Sequence, residues 1–92
     1  MKHILSVEEG SSVGIYEYTV WRIRQLCRQR GITPNALSYL CGISQSTIKS
    51  ILNGESQNPG IVTLKKICDG LDITMIEFFD TEEYRKLEQE IQ

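Results

Sequence analysis

The chain has 92 residues, of which 40% are apolar, so it can form one small domain with one modest core. No segment contains the roughly 18 consecutive apolar residues that a membrane-spanning helix requires, and no secretory signal opens the chain. We therefore expect a cytoplasmic protein without a membrane partner. The net charge of −2 at pH 7 gives no overall indication of an acidic partner such as nucleic acid.

The charge is distributed unevenly along the chain. Positions 16–66 carry seven basic and two acidic residues, a balance of +5. Positions 67–92 carry two basic and eight acidic residues, a balance of −6. The asymmetry indicates a basic segment able to meet an acidic partner, followed by an acidic segment that would avoid it.

Hydrophobic spacing predicts helices throughout the body of the chain and requires no strand. Positions 1–15 show no sustained period, and Gly10, Gly14 and the serines between them favour a flexible arm or a short hairpin. A helical domain is predicted over 16–80 and an acidic amphipathic helix over 81–92. We therefore predict an all-α fold of five or six helices, over 16–30, 34–41, 44–53, 61–71, 75–79 and 82–91.

Capping residues and apolar stripes support these boundaries. Thr33, Ser44, Thr74 and Thr81 are suited to cap helix starts, and Pro34 is favoured at a first helical position. The predicted inward faces are Val20, Ile23, Leu26 and Cys27; Leu37, Leu40 and Cys41; Ile48, Ile51 and Leu52; Leu64, Ile67, Cys68 and Leu71; and Tyr84, Leu87 and Ile91. The last stripe could dock on its own domain or on a second chain.

The three cysteines, Cys27, Cys41 and Cys68, are widely spaced and odd in number, so neither a disulfide framework nor a zinc site is indicated. Each falls at an apolar helical position, which favours buried free thiols. His3 has no accompanying ligands, and nothing assembles a nucleophile, a base and an oxyanion donor. We expect no catalysis, no metal and no cofactor.

The most informative segment is Gly42-Ile-Ser-Gln-Ser-Thr-Ile-Lys-Ser-Ile-Leu-Asn-Gly54. It indicates a turn, a short helix capped by Ser44, and a stop at Asn53-Gly54. One face is apolar, and the other carries Gln, Ser, Thr and Lys side chains. Such short hydrogen-bonding groups suit the base edges exposed in a DNA major groove. Together with the preceding helix, the segment forms a helix-turn-helix.

An ordered series of short motifs extends this pattern over positions 22–79. The series comprises Arg22-Ile-Arg-Gln-Leu26, Gly31-Ile-Thr33, the segment 42–48, Asn53-Gly54, Asn58-Pro59, Thr63-Leu64 with Ile67, and Ile73-Thr-Met-Ile-Glu-Phe-Phe79. At this spacing the chain resembles the XRE family, the Cro- and lambda-repressor-like helix-turn-helix DNA-binding domains. The resemblance implies a bacterial or phage transcriptional regulator.

Four positions depart from the family pattern. An Arg and a Glu that often form a partly buried ion pair correspond to Cys27 and Leu52, and both partners can be replaced together by apolar residues at little cost. Pro34 stands where a Gln commonly touches phosphate, so other donors must replace it. Asp72 stands where Gly is preferred after the fourth helix, so we expect that corner to differ.

The resemblance also implies roles for individual residues, with the helix over 44–53 in the major groove. The base-contacting residues would be Gln45, Ser46, Thr47 and Ser50. The phosphate-contacting residues would be Thr33, Asn35, Ser44, Lys49, Asn53, Gln57 and Asn58. The expected partner is operator DNA, bound by a homodimer that represses transcription, because one module alone buries little DNA surface.

A second hypothesis remains open from the sequence. The acidic total charge and the missing Gln at Pro34 are compatible with a protein-interaction module, such as an antitoxin or anti-regulator, that keeps the fold with little DNA binding. The arginines of the first helix, Arg22, Arg24, Arg28 and Arg30, could likewise form only a solvated face. No separate ligand domain is predicted, so we do not expect a small-molecule effector.

Overall fold

The computed structural model describes residues 13–91. Most of the predicted arm over 1–15 therefore lies outside the described residues. Within them the chain forms six helices and no strand, which confirms the all-α prediction. The helices are α1 (Ile15–Arg30), α2 (Pro34–Cys41), α3 (Gln45–Leu52), α4 (Ile61–Gly70), α5 (Met75–Phe79) and α6 (Glu82–Arg85).

The helix boundaries follow from capping chemistry. The Thr33, Ser44, Thr74 and Thr81 hydroxyls each accept a backbone N–H in the first turn of the helix that follows. Helices α1 and α2 end at Gly31 and Gly42, both in the left-handed conformation that glycine adopts without strain. The predicted caps are therefore confirmed.

Helix α1 is the central helix of the core, because it contributes more buried residues than any other helix. The α3, α4 and α5 helices pack their apolar faces into the same cluster. Its fully buried members include Tyr18, Ile23, Leu37, Ile48, Ile51, Ile67, Cys68, Leu71 and Phe78.

The three cysteines are buried and unpaired, as predicted. Burial raises the pKa of each thiol, and that of Cys68 to about 11. Since the thiolate is the reactive form, these side chains serve as small apolar core residues.

The close packing of α2 on α4 depends on Gly70. A Cβ atom added there would lie 2.8 Å from Cys41 Cβ and 2.9 Å from Cys41 Cα.

The corner after α4 corrects our expectation about Asp72, which takes a left-handed backbone with φ of 58°. Asp is among the residues that tolerate this conformation, and the N–H of the following Ile73 bonds back to the Cys68 carbonyl at 3.0 Å.

The prediction for the last helix was wrong beyond its first turn. Helix α6 ends at Arg85 and buries no residue. The chain that follows instead returns to the start of α1. The Glu88 N–H donates to the Val13 carbonyl at 3.3 Å, and a Glu90 carboxylate oxygen accepts the Ile15 N–H at 2.9 Å.

The stripe predicted for a longer helix is therefore divided. Leu87 packs against the core, Tyr84 is 41% exposed, and Ile91 is 85% exposed. A second correction concerns Leu40 in α2. It was predicted to face inward, but its side chain is 58% exposed. In α2 the buried stripe is Leu37, Ser38 and Cys41, and Leu40 lies beside that stripe.

Candidate nucleic-acid interface

The first turn of α3 is organised by Ser44. Its hydroxyl accepts the Thr47 N–H at 3.2 Å and donates to the Thr47 hydroxyl oxygen at 2.9 Å. The Ser46 hydroxyl oxygen lies 3.2 Å from the Ser44 hydroxyl oxygen. A group of small hydroxyls thus surrounds the exposed N-terminal end of the helix, where unpaired backbone N–H groups favour negative charge.

The inner face of α3 packs against the core, and two side chains of α1 bind its backbone carbonyls. Ile48 and Ile51 are each 1% exposed. The Tyr16 hydroxyl donates to the Ile51 carbonyl at 2.7 Å, and Arg24 donates to the Leu52 carbonyl at 3.4 Å. These bonds satisfy carbonyls at the C-terminal end of the helix and fix its orientation on the domain.

Cys27 and Leu52, which depart together from the family pattern, are both buried in this core. Apolar packing therefore stands where the family often has an ion pair.

The outer face of α3 presents Gln45, Ser46 and Thr47 to solvent. Ser50, in the last turn, is half-buried, and its hydroxyl donates to a Glu55 carboxylate oxygen at 3.1 Å. Three of the four predicted base-contacting residues thus lie at one exposed end of the helix. The fourth is engaged by an acid from the following loop.

A shallow groove of about 300 Å³ runs along α3 and gathers several of the predicted phosphate-contacting residues. It is lined by Arg24, Pro34, Asn35, Gln45, Ile48, Lys49, Leu52 and Asn53. Two of the lining side chains, Arg24 and Lys49, carry positive charge. The groove can therefore hold an anionic chain next to the exposed end of α3.

The remaining predicted phosphate contacts lie outside this groove. Thr33 and Ser44 use their hydroxyls as helix caps. Gln57 donates to the Gly54 carbonyl at 3.1 Å, and Asn58 is exposed in the same loop. They form a polar rim at the ends of α2 and α3.

Three residues of this surface were not predicted from the sequence. Arg24 lines the groove, Glu55 binds Ser50, and Tyr39 accepts a hydrogen bond from Gln45.

The arginines of α1 have different roles. Arg22 donates to the Glu77 and Phe78 carbonyls at 2.8 Å each, so it holds α5 in place and is not simply a solvated side chain.

No group of three or more potential metal ligands occurs within residues 13–91. No helix among these residues is long and apolar enough to cross a membrane.

Comparison with known proteins identifies the family of this domain. The model of the Cro/C1-type HTH DNA-binding domain matches residues 22–83. The HTH-type transcriptional regulator SlrR of Bacillus subtilis (strain 168) is 36% identical over 64 residues, which are 68% of this chain and 42% of that protein.

Among solved structures, prophage Lp1 protein 11 superposes with a TM-score of 0.71 at 30% identity, covering 84% of this chain and all of the other. The chain spans less than half the length of the Bacillus regulator. The family match covers two thirds of the chain, and the chain belongs to the family of Cro/C1-type helix-turn-helix DNA-binding domains.

Proposed function

We propose that the protein is a sequence-specific repressor that places α3 in the major groove of double-stranded DNA and acts in the cytoplasm as a homodimer. The observation that carries this proposal is the combination of an inner face fixed by Ile48, Ile51 and Leu52 with an outer face of exposed Gln45, Ser46 and Thr47. A helix whose inner face is packed against the core and whose outer face is polar can present its side chains to base edges in a defined register.

Gln45 is the principal base reader in this proposal, since its amide can pair with adenine through two hydrogen bonds. Ser46 and Thr47 adapt to neighbouring bases. Ser50 reaches a base only if its hydroxyl leaves Glu55 or donates to both. Discrimination by one good bidentate contact is worth about 1–3 kcal/mol.

Contacts to phosphate would come from Lys49, Asn35 and Asn53 along the groove, with Arg24 as a further positive charge. Thr33, Ser44, Gln57 and Asn58 would contribute from the rim, through side chains or adjacent backbone N–H groups. These contacts fix register, and they make affinity fall with added salt.

Dimerisation would occur through α5 and α6. An apolar groove of about 510 Å³ lies there, lined by Met75, Ile76, Phe79, Asp80, Tyr84 and Arg85, and Ile76 is 82% exposed. A two-fold dimer buries the same patch on both subunits and sets two α3 helices on half-sites about one helical turn apart. Ile76→Glu should yield a folded monomer by analytical ultracentrifugation, with weakened operator binding.

The test of the main proposal is selection of bound sequences from random duplex DNA, followed by titration of the selected operator. Gln45→Ala should remove the preference at one base pair of each half-site. Gln89→Ala, an exposed glutamine beyond α6, is the matched control and should leave binding intact. If Gln45→Ala and Ser46→Ala both bind like the wild type, α3 is not the reading element.

A protein-interaction module is the second candidate, favoured by the exposed apolar groove at α5 and α6 and by the acidic end of the chain. It predicts no duplex affinity even at low salt, and capture of a protein partner that Ile76→Glu abolishes. An antitoxin or anti-regulator role would follow from that result.

A further inference from the structure

Tyr39 lies beside the start of α3 with its ring in solvent. Its side chain belongs to α2 and is 78% exposed. The Gln45 side-chain nitrogen Nε2 lies 3.3 Å from the Tyr39 hydroxyl and donates a hydrogen bond to it. The contact joins the two helices of the helix-turn-helix on their exposed surface.

The other tyrosine hydroxyls with hydrogen bonds in the described chain serve the fold. The Tyr16 hydroxyl donates to the Ile51 carbonyl, and the Tyr18 hydroxyl donates to the Phe78 carbonyl at 2.6 Å. Tyr18 is fully buried, and Tyr16 packs against the core. Tyr39 binds a side chain instead, and an exposed neutral hydrogen bond of this kind adds little to folding because water competes for both groups.

The geometry of a glutamine amide makes this contact compatible with reading a base. An adenine pair uses Oε1 as an acceptor and one N–H of Nε2 as a donor. The amide has a second N–H, and that hydrogen is free to remain on Tyr39. A free glutamine side chain is mobile and loses rotamer freedom on binding. A partner that already holds the amide reduces that loss.

We infer that Tyr39 is a positioning residue that holds the Gln45 amide in the orientation that reads a base pair, an inference that rests on the proposed function of α3. Pro34, at the start of the same helix, has no N–H and no polar side chain with which to hold the amide. The Tyr39 hydroxyl is the group on α2 that the structure joins to Gln45.

The test is a double-mutant cycle of Tyr39→Phe and Gln45→Ala on the operator selected by the wild-type protein. Tyr39→Phe removes only the hydroxyl, and its high exposure leaves folding unaffected. Affinities are measured for the operator and for each single base-pair change. Gln89→Ala, an exposed substitution beyond α6 that lies in neither groove, is the control.

We expect Tyr39→Phe to reduce discrimination about two- to tenfold at the base pair that Gln45→Ala identifies, and to have no effect there in the Gln45→Ala background. In the free protein, Tyr39→Phe should shift the Gln45 side-chain amide signals in NMR spectra, and Gln89→Ala should not.

Equal weakening of all duplexes, or the same loss with and without Gln45, would overturn the inference and make Tyr39 a phosphate contact. Unchanged Gln45 amide signals in Tyr39→Phe would also overturn it. A wild-type protein without sequence preference would instead overturn the proposed function, and the positioning role would fall with it. The wild-type titration separates these two failures.

Discussion

The domain has two exposed surfaces that pack against the same helix, α1. The α3 side consists of α2, α3 and the groove lined by Arg24 and Lys49. The α5 side consists of α5, α6 and residues 86–91. Helix α1 holds both: Tyr16 and Arg24 bind carbonyls of α3, whereas Tyr18 and Arg22 bind carbonyls at the end of α5.

The two sides differ in what they leave exposed. The α3 side presents short polar side chains and positive charge over a tightly packed inner face. The α5 side presents acidic residues and an apolar groove over a cluster of aromatic rings, among them Tyr18, Phe78, Phe79 and Tyr84, with centroids 5.0–6.1 Å apart. The difference shows that one small core can support a polar surface and an apolar one at the same time.

The largest effect should come from removing the support beneath α3. Ile51→Ala deletes a side chain that is 1% exposed and should lower the free energy of unfolding by about 2–5 kcal/mol. Ile76→Ala removes the same groups from the α5 side, where the side chain is 82% exposed, and should change stability by about 0.5 kcal/mol or less. Urea denaturation measures both. Equal losses would contradict the division into supported and exposed surfaces.

A somewhat smaller loss is expected at the contact between α2 and α4. Gly70→Ala improves helix propensity by about 1 kcal/mol, but its Cβ would lie 2.8 Å from Cys41 Cβ. Overpacking of this kind costs about 1–3 kcal/mol. After the gain in propensity, the variant should be less stable than the wild type by up to about 2 kcal/mol. Gly60→Ala, with open space around the added carbon, is the control for crowding, and it should lose only the difference between glycine and alanine as the N-cap of α4. A more stable Gly70→Ala protein would show that α2 can move without cost.

Alkaline pH should destabilise the shared core. Burial raises the pKa of Cys68 to about 11 in the folded protein, from 9.0 for a free thiol. The unfolded chain therefore releases this proton first, and stability present below pH 9 is lost as the pH rises towards 11. Cys68→Ala should show a weaker decline of the free energy of unfolding over this interval than the wild type. Parallel declines would exclude the thiol as a cause.

The smallest effect concerns Glu55, the one acid on the α3 side that contacts a predicted reader. Glu55→Gln removes a negative charge close to the proposed path of the DNA and should strengthen duplex binding by on the order of 1 kcal/mol or less, mainly at low salt. Glu82→Gln, an exposed acid of α6 on the other side, should have a smaller effect. Comparison of binding at two salt concentrations distinguishes the charge from other changes, and weaker binding by Glu55→Gln would indicate that the carboxylate itself contacts a base.

Sequence reasoning succeeded where local and tertiary signals agree. Helix α3 has a cap at Ser44, a stop at Asn53 and an apolar face that the core accepts. Helix α6 has an equally good cap at Thr81, but no buried residue supports a second turn. A cap determines where a helix begins, whereas its length depends on burial that the sequence pattern does not reveal.

The sequence predicted the polar face of α3, but it did not predict the residues from other elements that contact that face. The exposed positions of Gln45, Ser46 and Thr47 follow from the period of α3. The contacts of Tyr39, Arg24 and Glu55 depend on how α2, α1 and the following loop lie against that helix. In the sequence, Tyr39 is only an aromatic residue outside the apolar stripe predicted for α2, which gave no indication of a partner.

The return of the chain to α1 has a consequence for protein engineering. Because Glu88 and Glu90 bond to Val13 and Ile15, the two ends of the described domain emerge from one corner. A short linker should therefore be able to join them, and a circular permutant opened in the loop between α3 and α4 should still fold.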